Sequence, residues 1–514
     1  MRNARYWIVL AVSSAGWLAT TLSLPPLMNG EDVFIFRDAG WNLASSGLFE
    51  SAALIYMRDL TPRLYAHYTP IMPLLFAAYA SVFPRNAYAG AVFNLLLGLL
   101  AASVALACVL RQPPGRLRNL TALAVALLPV AFVTEDRPEA LGIALFCAAV
   151  AAAVKPQLRP GLIGLLFAIV FLAYPAGALC SVVFVTCQLL GHNWDLPQRW
   201  TRTLIPIAVA GTAAAAALIP VALLYYTLDH DSLARFAAHS LGVSSGLGRV
   251  IASPSNGGFL NMLQFAVTTL GFPRPWNYLL SVCSVFLLAG WAVFRRKSLT
   301  RREWLPIAAA TACAVILVGL FPAQPHYIVL LAFLVPLGLL IVGGNDSRLA
   351  APALALLLWA MAINSAAVGL GFLLRIEQGP SFRAAAGQPR YLMSQLPSPD
   401  AIVAVENGSY DLFKSEFHHL IQVDGIEDPD HFASVAAVAN CYNGFTGQAG
   451  VIRPLPDELK AADFHLIQPA PQHLWITILG RRVMHSQWGY GCDLYLRNQI
   501  GPNSAGPESA ATPR

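Results

Sequence analysis

Long apolar runs separated by short polar loops recur along the first three quarters of the chain. They lie near 6–27, 86–110, 118–134, 139–154, 161–174, 176–190, 203–226, 276–294, 304–321, 326–343 and 349–374. A helix needs roughly 20 apolar residues to cross the hydrocarbon of a bilayer, so the shorter runs borrow flanking polar residues. The pattern predicts an α-helical polytopic membrane protein with about 11 transmembrane helices. Two places bear on the count: 161–190 reads either as two short helices or as one helix broken near Tyr174-Pro175, and 257–272 either crosses or lies in a loop. The two changes compensate, so they leave the side of the C-terminal tail unaltered. Met1–Leu27 has a basic start and an apolar centre without a small-residue cleavage site, and is expected to remain as the first span.

After Arg375 the pattern changes. Strand-like runs at Ala401–Val405, His419–Val423 and Phe464–Gln468 are bounded by Pro, Gly, Asp and Asn. Trp475–Met484, a Gly-Tyr-Gly turn and Cys492–Arg497 read as a hairpin, and Asp428–Ala439 as a helix capped by Asp430. The expected domains are a membrane part over 1–375 with its first outer loop at 28–85, a small α/β extracytoplasmic domain over 376–500, and a disordered tail over 501–514. His418 and His419 are adjacent and would point to opposite faces of a strand, a surface pair rather than a metal site.

Composition supports the membrane reading. Hydrophobic residues make up 56% of the 514 and charged ones only 12%, against about a quarter charged in ordinary globular chains; mean hydropathy is +0.57. The net charge of +6 does not point to nucleic acid, because the bases gather in short loops: Arg2/Arg5, Arg111/Arg116/Arg118, Lys155/Arg159, Arg199/Arg202 and Arg295–Arg302. With Met1 inside, all of these fall on the cytoplasmic side, and the tail after Arg375 falls outside. Arg in place of Lys and abundant Ala suit a GC-rich bacterial genome, hence a multi-pass protein of the bacterial inner membrane with a periplasmic C-terminal domain. Six of the eight cysteines lie in apolar runs, where Cys acts as a small hydrophobe. Cys441 and Cys492, in the tail, are the expected disulfide.

Ionisable residues that persist near a bilayer mark function, and here they gather at the outer rim. One group is Glu31-Asp32 ahead of Val33, Phe36, Gly40 and Leu43, which share a helical face along the membrane surface. Asp38 follows in the same loop. A second is Arg58, Arg63, His67 and Tyr68 before a short helix with Pro70 and Pro73 in its first turn, read as re-entrant or interfacial. A third is Glu135-Asp136-Arg137-Pro138-Glu139, at the turn between two spans. His326 opens a late span at the same level.

These motifs resemble the GT-C superfamily of polytopic glycosyltransferases, which take sugars from polyprenyl phosphates. The shared features are the acidic first loop, the Ala39…Leu43…Gly47 helix, Tyr68…Pro70…Pro73-Leu74, Asp136-Arg137-Pro138-Glu139-Ala140-Leu141, and His326-Tyr327. Many relatives have Asp-Glu where this chain has Glu31-Asp32. The resemblance implies inverting transfer, with Asp32 as the base that takes the acceptor's proton, Glu31 second and Asp38 a weaker candidate. Arg58, Arg63, His67, Tyr68, Asp136, Arg137, Glu139 and His326 become donor-phosphate or substrate contacts. Expected partners are a polyprenyl-phosphate-linked sugar, a lipid, glycan or protein acceptor, and the bilayer, with no nucleic acid. Some relatives use a divalent metal, Mg or Mn, and others none; Glu31 and Asp32 alone do not make a metal site. The competing readings are a multi-pass transporter or flippase, which would place charges near the bilayer midplane and show internal repeats, and a scaffold subunit.

Overall fold

The structure is a computed structural model. It describes residues 3–26, 34–51, 63–65, 69–132, 138–154, 159–228, 231–234, 288–291, 293–295, 299–320, 325–344, 346–377, 379–405, 409–423, 434–441, 456–470, 475–478, 481–485 and 491–498. Outside 276–294, a helix occupies every apolar run read from the sequence. These helices are Ala4–Ser23, Ala89–Leu110, Arg116–Ala126 with a 3-10 turn Leu128–Phe132, Glu139–Val154, Pro160–Ala173, Pro175–Asn193, Arg199–Leu228, Arg301–Leu320, Pro325–Gly343 and Ser347–Glu377. Among the described residues, five helices are long and apolar enough to cross a membrane: Ala4–Ser23, Ala89–Leu110, Pro175–Asn193, Arg199–Leu228 and Ser347–Glu377. The segment 257–272 lies outside the described residues.

The break at 161–190 is real and has a local cause. Pro175 disfavours helical backbone at the residue before it, and Tyr174 is extended at φ −159°, ψ 95°. The chain therefore turns at Tyr174, and Pro175 starts the next helix, a first-turn position where its missing N–H costs nothing. Small residues let neighbouring helices approach. A Cβ on Gly338 would sit 2.7 Å from Phe184, and Phe184 meets Phe146 edge-on, with ring centroids 5.4 Å apart.

Polar side chains tie the bundle together at two opposite ends. At one end Arg118 donates to Asn3 Oδ1 (2.8 Å) and to the Leu110 carbonyl (3.0 Å), and Gln112 donates to the Ile341 carbonyl (3.1 Å). At the other, buried Arg375 donates to the carbonyls of Thr21 (3.0 Å), Leu24 (3.1 Å) and Pro25 (2.6 Å). A cation there satisfies the acceptors left open where Ala4–Ser23 ends. The last long helix thus ends on the same side as the first, the side to which the sequence assigns the tail.

Between the first two long helices, two short strands, β1 (Glu50–Ser51) and β2 (Arg63–Leu64), pair antiparallel. Beyond the last long helix, helix Gly379–Gln395 leads into a five-stranded mixed sheet. Its strands are β3 (Val403–Val405), β4 (Leu420–Gln422), β5 (Ala437–Cys441), β6 (Phe464–Gln468) and β9 (Cys492–Arg497), in the order β4-β3-β5-β9-β6. β3 is parallel to β4 and β5, and β9 is antiparallel to β5 and β6. Two expectations need correction. The hairpin lies within 475–485, where β7 (Trp475–Ile478) pairs with β8 (Arg481–His485), whereas Cys492–Arg497 inserts between β5 and β6. The end of the expected helix at 428–439 is strand: Ala437–Ala439 is buried between β3 and β9, a burial that outweighs alanine's helix preference.

Cys492 is disulfide-bonded, and the residue facing it across the β5–β9 ladder is Cys441. Cys108, Cys147, Cys180, Cys187 and Cys313, all within apolar helices, are thiols rather than disulfides. Buried Gln388 of helix Gly379–Gln395 acts like an extra strand residue, donating to the Cys492 carbonyl (2.6 Å) and accepting from the Cys492 N–H (2.8 Å).

Candidate functional site

The end of the bundle where Ala4–Ser23 and Ser347–Glu377 finish is assembled from segments far apart in sequence. After Glu31-Asp32 the chain makes a π-helical turn, Phe34–Asp38, and then helix Ala39–Ser46. Gly47 ends that helix in a left-handed conformation (φ 76°), its N–H donating to the Leu43 carbonyl. The underside of this piece rests on helix Ile71–Ala80: Trp41 meets Phe76 edge-on at 5.2 Å. A Cβ on Gly40 would lie 2.6 Å from the Pro73 carbonyl oxygen, so the two backbones touch there.

Just ahead of that second helix, buried Thr69 donates to the Ala173 carbonyl (3.0 Å). The adjoining Tyr174 ring packs on Gly142, one turn into helix Glu139–Val154. Glu139 is buried in the first turn of that helix, where the dipole favours a carboxylate. The segments Phe34–Ser46, Thr69–Ala80 and Pro138–Gly142 are therefore joined by a chain of contacts.

Above helix Ala39–Ser46 lies a buried ionic cluster. Arg37 pairs with Asp411 of the short helix Tyr410–Lys414, and donates also to Asn94 Oδ1 (3.3 Å). Asp38 receives the Tyr410 hydroxyl on Oδ1 (2.7 Å), with Lys414 Nζ at 3.5 Å, and Ser51 (2.6 Å) and Asn42 (3.3 Å) on Oδ2. The adjacent opposite charges Arg37-Asp38 thus meet the pattern Tyr410-Asp411…Lys414 in register. Arg37, Asp38, Asp411 and Lys414 are at most 3% exposed. Arg85 stacks on Trp41 at 5.6 Å beside the cluster.

Burial pushes the Lys414 ammonium below its ordinary 10.5; Asp38 resists this and Arg85 adds to it. Burial and then Asp38 push the Tyr410 phenol well above 10, keeping it a donor to Asp38. Between the lowered value of Lys414 and 10.5, the unfolded chain holds a proton that the folded chain does not, so stability rises with pH across that window. Above 10 the raised Tyr410 acts in the opposite sense. Melting curves from pH 8 to 10 are expected to show a steeper rise for the parent protein than for Lys414→Met; equal slopes would exclude a burdened Lys414.

Gly90 sits against this cluster. A Cβ there would overlap both the Arg37 guanidinium and the Asp411 carboxylate. In a helix interior Gly→Ala usually gains about 1 kcal/mol. Here the expected sign is reversed, with Gly90→Ala losing about 1–3 kcal/mol through overpacking, read as a lower unfolding midpoint in detergent.

The residues expected from sequence divide into three groups. Glu31, Asp32, Arg58, His67, Tyr68, Asp136 and Arg137 lie outside the described residues. Arg63 lies in a two-residue strand paired with Glu50–Ser51, and His326 is the second residue of helix Pro325–Gly343; their side chains are likewise outside it. Glu139 is buried on the rim. Asp38 is committed to the ionic cluster. His418 and His419 are exposed as expected, with His418 Nδ1 2.7 Å from Asp400 Oδ1. Among the described residues no group of His, Cys, Asp or Glu has the geometry of a metal site.

The sequence reading missed Arg37, Asp411, Tyr410 and Lys414. The available signal was a charge pair, Arg37-Asp38, one residue from the apolar face of a surface helix.

No protein-family profile matches the chain, and no curated protein matches it. Several solved structures are similar to it, among them the following two. One is ArnT from Cupriavidus metallidurans bound to undecaprenyl phosphate, at 14% identity and a TM-score of 0.47, covering 99% of this chain and 100% of that one. The other is the archaeal oligosaccharyltransferase AglB from Archaeoglobus fulgidus, in complex with an inhibitory peptide and a dolichol-phosphate, at 12% identity and a TM-score of 0.44, covering 86% of this chain and 70% of that one.

Proposed function

We propose that the protein is a membrane glycosyltransferase that moves a sugar from a polyprenyl-phosphate donor to an acceptor on the outer face of a bacterial inner membrane. The observation that supports it best is the convergence on one rim of the segments that follow Glu31-Asp32, His67-Tyr68 and Asp136-Arg137, through Phe76–Trp41, Thr69–Ala173 and Tyr174–Gly142. In this reading Asp32 takes the proton of an acceptor hydroxyl as its oxygen attacks the anomeric carbon. The bond from that carbon to the phosphate oxygen breaks, and the lipid phosphate leaves with inversion at the sugar. Arg58, Arg63, His67, Arg137 and His326 supply cations for the departing phosphate; Tyr68, Asp136 and Glu139 line the donor side. About eleven spans place the domain after Arg375 on the periplasmic side with the site, with Cys441 and Cys492 as its disulfide. A divalent ion is not required by this scheme.

The distribution of charge favours transfer over transport. Among the described apolar helices up to Ser347–Glu377, Asp, Glu, Lys and Arg occur only near the ends, away from the midplane where transporters hold substrate. Compositional analysis of cell-envelope glycans from a deletion strain tests the proposal. A missing sugar restored by the parent gene and not by Asp32→Asn supports it; an unchanged envelope with lost uptake of a lipid-linked sugar supports a transporter instead.

A further inference from the structure

Helix Ala39–Ser46 has eight residues, well short of the roughly 12–15 at which an isolated helix begins to hold its shape in water. Its position must come from what touches it. Below, it has Phe76 and the Pro73 backbone; at its side, Asn42 Nδ2 donates to the Glu50 carbonyl (2.8 Å). Above, Asp411 meets Arg37, and Lys414 and Tyr410 meet Asp38, all from the short helix Tyr410–Lys414 some 370 residues later, as separations of 374 and 372 record. Removing one partner of a buried pair leaves an uncompensated charge, so such a cluster enforces one docking geometry far more than it adds net stability.

The short helix Tyr410–Lys414 is itself held from behind. Ser409, the residue before it, has its Oγ 3.8 Å from Cys492 Sγ, and Cys492 is clamped by Gln388 and by its disulfide. A continuous set of contacts therefore runs from the last strand of the sheet to the residues that follow Asp32.

We propose that the C-terminal domain is a clamp on the first outer loop, with Asp411, Tyr410 and Lys414 as positioning residues that hold helix Ala39–Ser46 through Arg37 and Asp38. As to catalysis, this rests on the transferase reading above: the clamp fixes the segment that carries Asp32, and it acts on turnover rather than on donor capture. None of the three touches substrate.

The test uses the full chain in lipid nanodiscs, with hydrogen exchange and transfer kinetics measured on the same samples. Asp411→Ala is expected to speed exchange of the amides in 36–46 by at least about tenfold, and to lower kcat by at least about tenfold while KM for the lipid-linked donor stays within about twofold. Arg37→Lys combined with Asp411→Glu keeps the summed length of the pair and is expected to restore both readouts to within about threefold, which Arg37→Lys alone does not. Unchanged exchange at 36–46 in Asp411→Ala overturns the clamp, as does faster exchange with full kcat. If Asp411→Ala does not fold, Lys414→Met with Asp38→Asn carries the same two readouts. Exchange needs no turnover, so a parent protein that transfers no sugar while its loop responds to Asp411 overturns the transferase reading and leaves the clamp standing.

Discussion

Asp32→Asn is expected to reduce sugar transfer by about 10²–10⁴-fold, the usual contribution of a positioned general base, with expression and melting temperature close to those of the parent. The substitution keeps the size of the side chain and removes its capacity to accept a proton. Glu31→Gln should be milder, because Glu31 is the second choice for the same task. The comparison with Asp38 makes the test specific. Asp38 is a further carboxylate of the same loop, but its oxygens already receive Tyr410, Ser51 and Asn42, with Lys414 close by. A carboxylate so fully engaged has no oxygen directed at an acceptor hydroxyl. Transfer measured with a lipid-linked donor in membranes separates the cases. Full activity in Asp32→Asn would falsify its assignment as the base.

Asp38→Ala should have the second largest effect, on folding rather than chemistry. It leaves the Lys414 ammonium in a site about 3% exposed with no carboxylate at 3.5 Å, and it removes the acceptor for the Tyr410 and Ser51 hydroxyls. Losing one partner of a buried pair costs about 3–5 kcal/mol. Asp38→Asn should cost less, because the amide oxygen still accepts one of those hydroxyls. Adding Lys414→Met to Asp38→Asn should recover much of the loss, since replacing both members of a buried pair by groups of similar volume is often neutral. Unfolding midpoints in detergent measure all three variants. A parent-like midpoint for Asp38→Ala would show that the cluster is not closed in solution.

The second prediction also shows where sequence reading stops. Arg37-Asp38 is visible as a charge pair, and Tyr410-Asp411…Lys414 is visible as a polar turn, but nothing in their spacing says that they meet. A contact between positions more than 370 apart depends on how the whole bundle and sheet are arranged, and local periodicity carries no information on that. The same limit explains β5. Ala-rich Val435–Ala439 has no alternation to announce a strand, and it became one because β3 and β9 offered it two hydrogen-bonded edges in a buried sheet. It also explains the misplaced hairpin: the Gly-Tyr-Gly before Cys492 suits a turn, but pairing partners for Cys492–Arg497 lay elsewhere.

What the sequence determined by itself is the helical membrane-type architecture and the ends of its helices. Hydrophobic runs are local and obligatory, and Pro175, Gly47 and Pro70 act on backbone torsion within a residue or two of themselves. It also marked the charged segments that flank the runs, because charge is excluded from the runs themselves. Only the tertiary structure decided that these rim segments adjoin one another, and that the C-terminal sheet grips the first loop through Arg37 and Asp38. Burial in a shared low-dielectric contact selects partners by complementarity of charge and shape, and those partners are set by the packing of the entire chain.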